Sequence, residues 1–232
     1  MSELRTGTYG QYYGSQWGES TPLTTAQMQV NAKYIYSALT AAGWTVEAIS
    51  GLLGNVEHES GCNPGRWEGD SVGVGPGYGL VQWTPHTNYT GWCYSEGRSD
   101  PSEMDNAIAR ILYELENGEQ FYSTDAYPIS FYQFTKSTGS PYTLACAFAW
   151  NYERSWVVLY GSESEKEALR QLRGNAAQEW YEFLTGIDPT PPGPTPDPDP
   201  DPGPTPTKTK KKRKYKYLLF VNKPWRKRQW QS

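Results

Sequence analysis

Apolar residues in the first 186 positions recur mainly at intervals of three and four. Met28, Ala32, Ile35 and Leu39 follow that spacing, with Thr24 or Thr25 ahead as a cap and Gly43 behind as a stop. This predicts a first helix. Thr45 opens a second, whose face carries Ile49, Leu52, Leu53 and Val56 and which ends at Ser60, before Gly61 and Pro64. Further helices are predicted over 102–117, through Ala107, Ile108, Ile111 and Leu112, and over the apolar run 142–152. A last amphipathic helix spans 163–184 through Ala168, Leu172, Ala176, Trp180 and Leu184. Between 66 and 83 the chain has no clear period and is loosened by Gly69, Gly73, Gly75, Gly77 and Gly79. A short strand or hairpin ending at Leu80 to Trp83 is expected there. No segment repeats. The whole pattern predicts an α+β fold that is predominantly α-helical.

The pattern stops at residue 187. Residues 187–206 read IDPTPPGPTPDPDPDPGPTP and hold ten of the 18 prolines. Proline fixes φ and removes an amide donor, so a helix and a central strand are both excluded and an extended spacer is expected. Four segments follow: a Gly/Tyr-rich stretch over 1–22, a folded domain over 23–186, the linker over 187–206 and a tail over 207–232. Charge sharpens this division. Of the 21 Lys and Arg, 11 lie in 207–232, where there is no acid, and the linker holds four Asp. Residues 1–186 keep 10 bases against 21 acids, a net of −11 hidden inside the overall −4. An acidic body is joined to a basic tail that prefers polyanions.

A chain of 232 residues accommodates one ordinary domain plus appendages. Leu, Ile, Val and Phe are scarce beside 10 Trp and 18 Tyr, so the core must be built largely from aromatics whose polar atoms need partners. No apolar run approaches the ~20 residues of a membrane span. Met1 to Ser20 lacks the apolar core of a secretory signal, so synthesis in a reducing cytoplasm is expected. Cys62, Cys93 and Cys146 are odd in number and too widely spaced for a disulfide framework or a zinc motif.

Candidate chemistry centres on GNVEHESGCNPG, Gly54 to Gly65. On a helical wheel Glu59 falls about 70° off the apolar face, Glu57 about 90° off on the other side, and His58 nearly opposite. Glu59 lies in the final turn, where the negative end of the helix dipole and burial beside Leu52 both favour the protonated acid. A proton donor working near neutral pH needs that. A second segment, GYGLVQWTP at 77–85, presents Gln82, whose amide can hold a sugar, and Trp83, whose ring can stack on one. A third, AFAWNYERS at 147–155, puts Asn151, Tyr152 and Glu153 at the end of an apolar helix. Rival chemistries exist. A cysteine peptidase or amidase would pair Cys62 or Cys93 with His58 or His86, but nothing near these thiols supplies an activating base. A zinc amidase would want more than two histidines.

Taken in order, these three segments resemble the phage tail lysozyme family, a branch of the lysozyme, goose-type lysozyme and lytic transglycosylase superfamily. The resemblance covers roughly Leu23 to Leu184. It implies a two-lobed, mostly helical domain with a glycan groove, and cleavage of the β-1,4 bonds of peptidoglycan without cofactor or metal. Glu59 matches the superfamily's catalytic acid, Gln82 the groove glutamine, and Tyr152 the aromatic near the cleavage site. Tyr78, Trp83, Asn151 and Glu153 complete the expected substrate-binding set. Glu57 has no counterpart and reads as a supporting or surface residue. A hydrolase needs a second carboxylate, for which Asp70 and Glu68 are preferred to Glu153; a lytic transglycosylase needs none.

The resemblance implies a virion lysin that opens the host wall locally during genome entry. An endolysin is the nearest variant, and a non-catalytic glycan-binding or structural virion subunit is the alternative of another class. The basic tail, with LLFV at 218–221 and Trp225 and Trp230 among its cations, is expected to dock onto phage tail proteins or to hold anionic wall polymer or a membrane surface. Nucleic acid is the disfavoured partner, and a solvated tail without a partner is the plainest reading. Residues 1–186 alone are expected to bind walls less well than the full chain.

Overall fold

The computed structural model describes residues 2–73 and 75–186; the linker and basic tail lie outside the described residues. Eight helices follow an N-terminal hairpin among them: α1 (Thr25–Ala41), α2 (Val46–Ser60), α3 (Thr87–Ser95), α4 (Met104–Asn117), α5 (Phe131–Lys136), α6 (Pro141–Phe148), α7 (Trp156–Tyr160) and α8 (Glu163–Leu184). The predominantly helical α+β fold is as the hydrophobic pattern predicts. Local chemistry sets the boundaries. The Thr24 hydroxyl accepts from the Gln27 amide while the Gln27 side chain accepts from the Thr24 amide, a capping box that starts α1. The Thr45 hydroxyl caps α2 by accepting from the Ala48 amide, and Gly61 ends it with φ 60°, a left-handed conformation that glycine adopts without strain.

Four features differ from the sequence expectation, the first being that the short helices α3, α5 and α7 lie where no helix is expected. The Gly/Tyr-rich segment over 1–22, for which no element is predicted, carries regular structure. It forms an antiparallel hairpin, β1 (Glu3–Gly7) with β2 (Gly10–Gly14), whose alternation of Tyr, Thr and Gly carries no aliphatic signal. Tyr12 from β2 is buried in the core. Buried Asn31 of α1 pairs with both backbone groups of Tyr13 at 2.7 Å and also donates to the Cys62 carbonyl. The short strand or hairpin expected to end at Leu80 to Trp83 is present in its smallest form, a tight turn in which Tyr78 and Trp83 exchange backbone hydrogen bonds of 3.3 and 3.1 Å. The helix predicted over 142–152 ends at Phe148 and widens into a π turn over Ala149–Glu153, closed by Arg154 at φ 47°.

The face of α8 is also rotated from expectation. Ala168 and Leu172 are exposed, and the buried face is Arg173, Gly174, Ala176, Ala177, Trp180 and Leu184. Small residues explain the rotation. A Cβ on Gly54 would come within 2.5 Å of the Arg173 carbonyl, and one on Gly51 within 2.8 Å of Leu144 Cβ. These two glycines let α8 and α6 press against α2, which becomes the central helix of the core. No helix among the described residues is long and apolar enough to cross a membrane.

Candidate active site

The last turn of α2 opens onto a groove of about 1080 Å³. Two residues of the first motif fasten that turn to its surroundings. The Ser60 hydroxyl donates to the Leu80 carbonyl at 2.8 Å, tying α2 to the Gly-Leu-Val-Gln turn. Buried Asn63 accepts from the amides of Ser15 and Gly65 and donates to the Thr21 carbonyl, which fixes the chain on the other side of Gly61. Both glutamates of the motif reach α8. Glu57 accepts from the Trp180 indole N–H at 2.8 Å, and Glu59 pairs with Arg173 at 2.5 Å.

Six of the sequence-predicted residues line the groove together: Glu59, Glu68, Gln82, Trp83, Tyr152 and Glu153. Glu59 is only 20% exposed at its side chain. Burial pushes its carboxyl above the ordinary glutamate value, the Arg173 cation pulls it down, and the nearby Glu68 charge pushes it up again; the net direction is up. Glu153 is partly buried, and its Oε1 is enclosed without a hydrogen-bond partner. Burial, and then the Glu59 charge, lift its carboxyl well above the usual range. Glu68 accepts the Gly77 amide at 2.9 Å.

Gln82 takes a left-handed backbone (φ 50°) and spends its amide hydrogens on the carbonyls of Arg66 and Gly79, leaving Oε1 enclosed and unpaired. Trp83 and Tyr152 lie mostly beneath the groove surface, 4% and 1% exposed. Both donate to one carboxylate, Glu114 of α4: the indole N–H at 2.9 Å and the phenol at 2.5 Å, with Arg110 Nε adding a third bond at 2.9 Å.

Three predicted residues do not line the groove. Asp70 is held by Arg66 at 2.6 Å and by the Ser20 hydroxyl at 2.9 Å. Tyr78 is fully buried in the core. Asn151 braces the π turn, accepting from the Thr124 hydroxyl and donating to the Tyr127 carbonyl. The cysteines are all buried and unpaired, and burial pushes their thiols up, Cys93 to about 11. That is opposite to what a nucleophilic thiol requires. Among the described residues no group of three or more His, Cys, Asp or Glu is placed to hold a metal ion.

Sequence reasoning missed Arg173 and Glu114. Arg173 reads as a cation on the polar side of a helix whose apparent face is rotated from the real one. Glu114 ends an apolar stripe and carries no motif.

A helical domain that shields a glutamate at the end of its central helix, beside a groove edged by a Gly-Leu-Val-Gln turn, is a lysozyme-like domain. The chain belongs to the phage tail lysozyme family, whose model matches residues 30–184. It is similar to Morphogenesis protein 1 of Bacillus phage B103, with 39% identity over 175 residues. That match covers 75% of this chain and 44% of the relative, so the chain spans less than half of that protein's length.

Proposed function

We propose that this protein is a phage glycosidase that cleaves the β-1,4 glycan bonds of peptidoglycan, with Glu59 as general acid. The observation that carries the reading is Glu59 itself: an enclosed carboxyl, lifted by burial, lining a groove of about 1080 Å³. In acid form it donates its proton to the glycosidic oxygen as the bond to the sugar breaks. Arg173 then stabilises the carboxylate left behind. Glu153 favours its acid form, which suits neither a nucleophile nor a base. Glu68 is therefore assigned to the attacking water, in preference to Asp70, whose carboxylate is engaged by Arg66 and Ser20.

The place of action is proposed to be the virion, where the enzyme opens the wall locally during genome entry. The family description and the morphogenesis name of the phage relative support this. Co-purification with particles checks it; appearance in lysates alone makes the protein an endolysin instead.

Mass spectrometry of fragments released from purified peptidoglycan tests the chemistry, with wild type beside Glu59→Gln. The expected result is saturated reducing-end sugars, reduced at least ~100-fold in the variant. Anhydro-sugar ends would make it a lytic transglycosylase and remove the need for Glu68. Cut stem peptides unaffected by the substitution would overturn the reading. The relative's morphogenesis name favours one second reading, a non-catalytic virion subunit, which release of nothing from several wall types would support.

A further inference from the structure

Beyond Glu153 the chain turns abruptly. Arg154 adopts the left-handed conformation, and its guanidinium lies 4.4 Å from the centre of the Tyr122 ring, redirecting the backbone into α7. This helix is only five residues long, WVVLY, and Val158 is its single buried residue. Trp156 is 65% exposed and Leu159 54%, yet both line the same groove as Glu59. No other tryptophan among the described residues is as exposed as Trp156. The Tyr160 ring, 6.3 Å from that of Trp156, braces it from one helical turn away. Packing within the domain does not require an indole here, because its neighbours in the helix leave it to solvent.

The groove's polar lining suits a neutral chain. Burial favours the acid forms of Glu59 and Glu153, and Arg66 is paired with Asp70, so much of the lining offers hydrogen-bonding groups rather than free charge. Such a lining suits hydroxyl and amide groups. A pyranose in a β-1,4 strand is neutral and offers an apolar C–H face to an indole.

We propose, building on the glycan-groove reading above, that Trp156, backed by Leu159, is a sugar-stacking subsite at the α7 end of the groove. It holds the strand beyond the scissile bond and sets the length of glycan the protein prefers. Titration calorimetry of the full-length Glu59→Gln protein with β-1,4-linked N-acetylglucosamine hexamer and trimer, and with a peptide-bearing muropeptide, tests this. Trp156→Ala is expected to weaken hexamer binding about tenfold, to affect the trimer less, and to leave the melting temperature unchanged; Trp156→Phe should restore most of the loss. Unchanged hexamer affinity in Trp156→Ala, with the parent binding normally, overturns the subsite alone. Failure of the parent to bind any oligomer overturns the glycan-groove reading and the subsite with it. Loss confined to peptide-bearing muropeptides makes Trp156 a stem-peptide contact and overturns the sugar assignment.

Discussion

Arg173 of α8 donates to Glu59 of α2 across 2.5 Å, although 114 residues separate them in the chain. The pair opposes two demands on one carboxyl. Burial favours the acid that a proton donor needs, and the cation favours the carboxylate that remains after donation. Arg173 also donates to the Asn55 carbonyl at 3.0 Å, so its position follows the α2 backbone.

Replacing Arg173 by Met removes the cation while keeping much of the bulk. The Glu59 carboxyl, relieved of the charge that pulls it down, should rise further. The alkaline limb of the activity–pH profile should then move up by about one pH unit. Turbidity loss of purified walls across pH checks this, and an alkaline limb that stays in place would show that Arg173 does not tune the acid.

Glu153 should make stability depend on pH. Its carboxyl, like those of Glu59 and Glu114, is raised in the folded state. The folded protein therefore keeps these protons at pH values where the unfolded chain has lost them. Their stabilisation is complete below the ordinary glutamate value and is lost as pH rises through the raised values. Glu153→Gln should flatten the fall in melting temperature between pH 5 and pH 8, with a gain on the order of 1 kcal/mol at the alkaline end. Parallel melts of parent and variant measure it, and identical slopes would refute it.

Glu114 joins three elements through one buried carboxylate. Glu114→Ala would strand the Trp83 indole N–H and the Tyr152 hydroxyl and leave Arg110 with Glu119 alone. Removing one partner of such a buried cluster costs about 3–5 kcal/mol. Tyr152→Phe removes a single bond and should cost about 1 kcal/mol. Urea denaturation of the two variants should separate them clearly; equal losses would mean that the network is not centred on Glu114.

The α2–α8 crossing supplies a geometric test. Gly54→Ala pushes on the Arg173 carbonyl, while Gly51→Ala pushes on Leu144 of α6. Both should destabilise by about 1–3 kcal/mol. Only Gly54→Ala should also lower wall-degrading activity at equal folded fraction, because only that glycine sets the distance of α8 from Glu59. Equal activity in the two folded variants would argue against the Arg173–Glu59 link.

Much of this domain was legible along the chain, because helix signals are local. Thr24, Thr45 and Gly61 mark helix ends through hydrogen bonds and backbone angles confined to four or five residues. The motif residues Glu59, Gln82 and Tyr152 were visible too, as a resemblance, and six of the predicted site residues line one groove. The hairpin at Glu3–Gly14 was not, since its tyrosines and glycines carry no aliphatic alternation. Nor was the buried face of α8, because hydropathy ranks Leu172 above Gly174 and Ala177 and cannot register that small residues permit close approach.

Residue order by itself determined α1, α2, α4 and α8, the acidic body with its basic tail, and the placing of a glutamate in the last turn of α2. Only the tertiary structure decided what surrounds that glutamate. It brought Arg173 and Glu153 to Glu59, turned Asp70 toward Arg66, buried Trp83 and left Trp156 open to the groove. The physical reason is range. Caps and periodicity act over a few residues, whereas burial, ion pairing and proton affinity depend on groups that meet only when α2, α6 and α8 pack together.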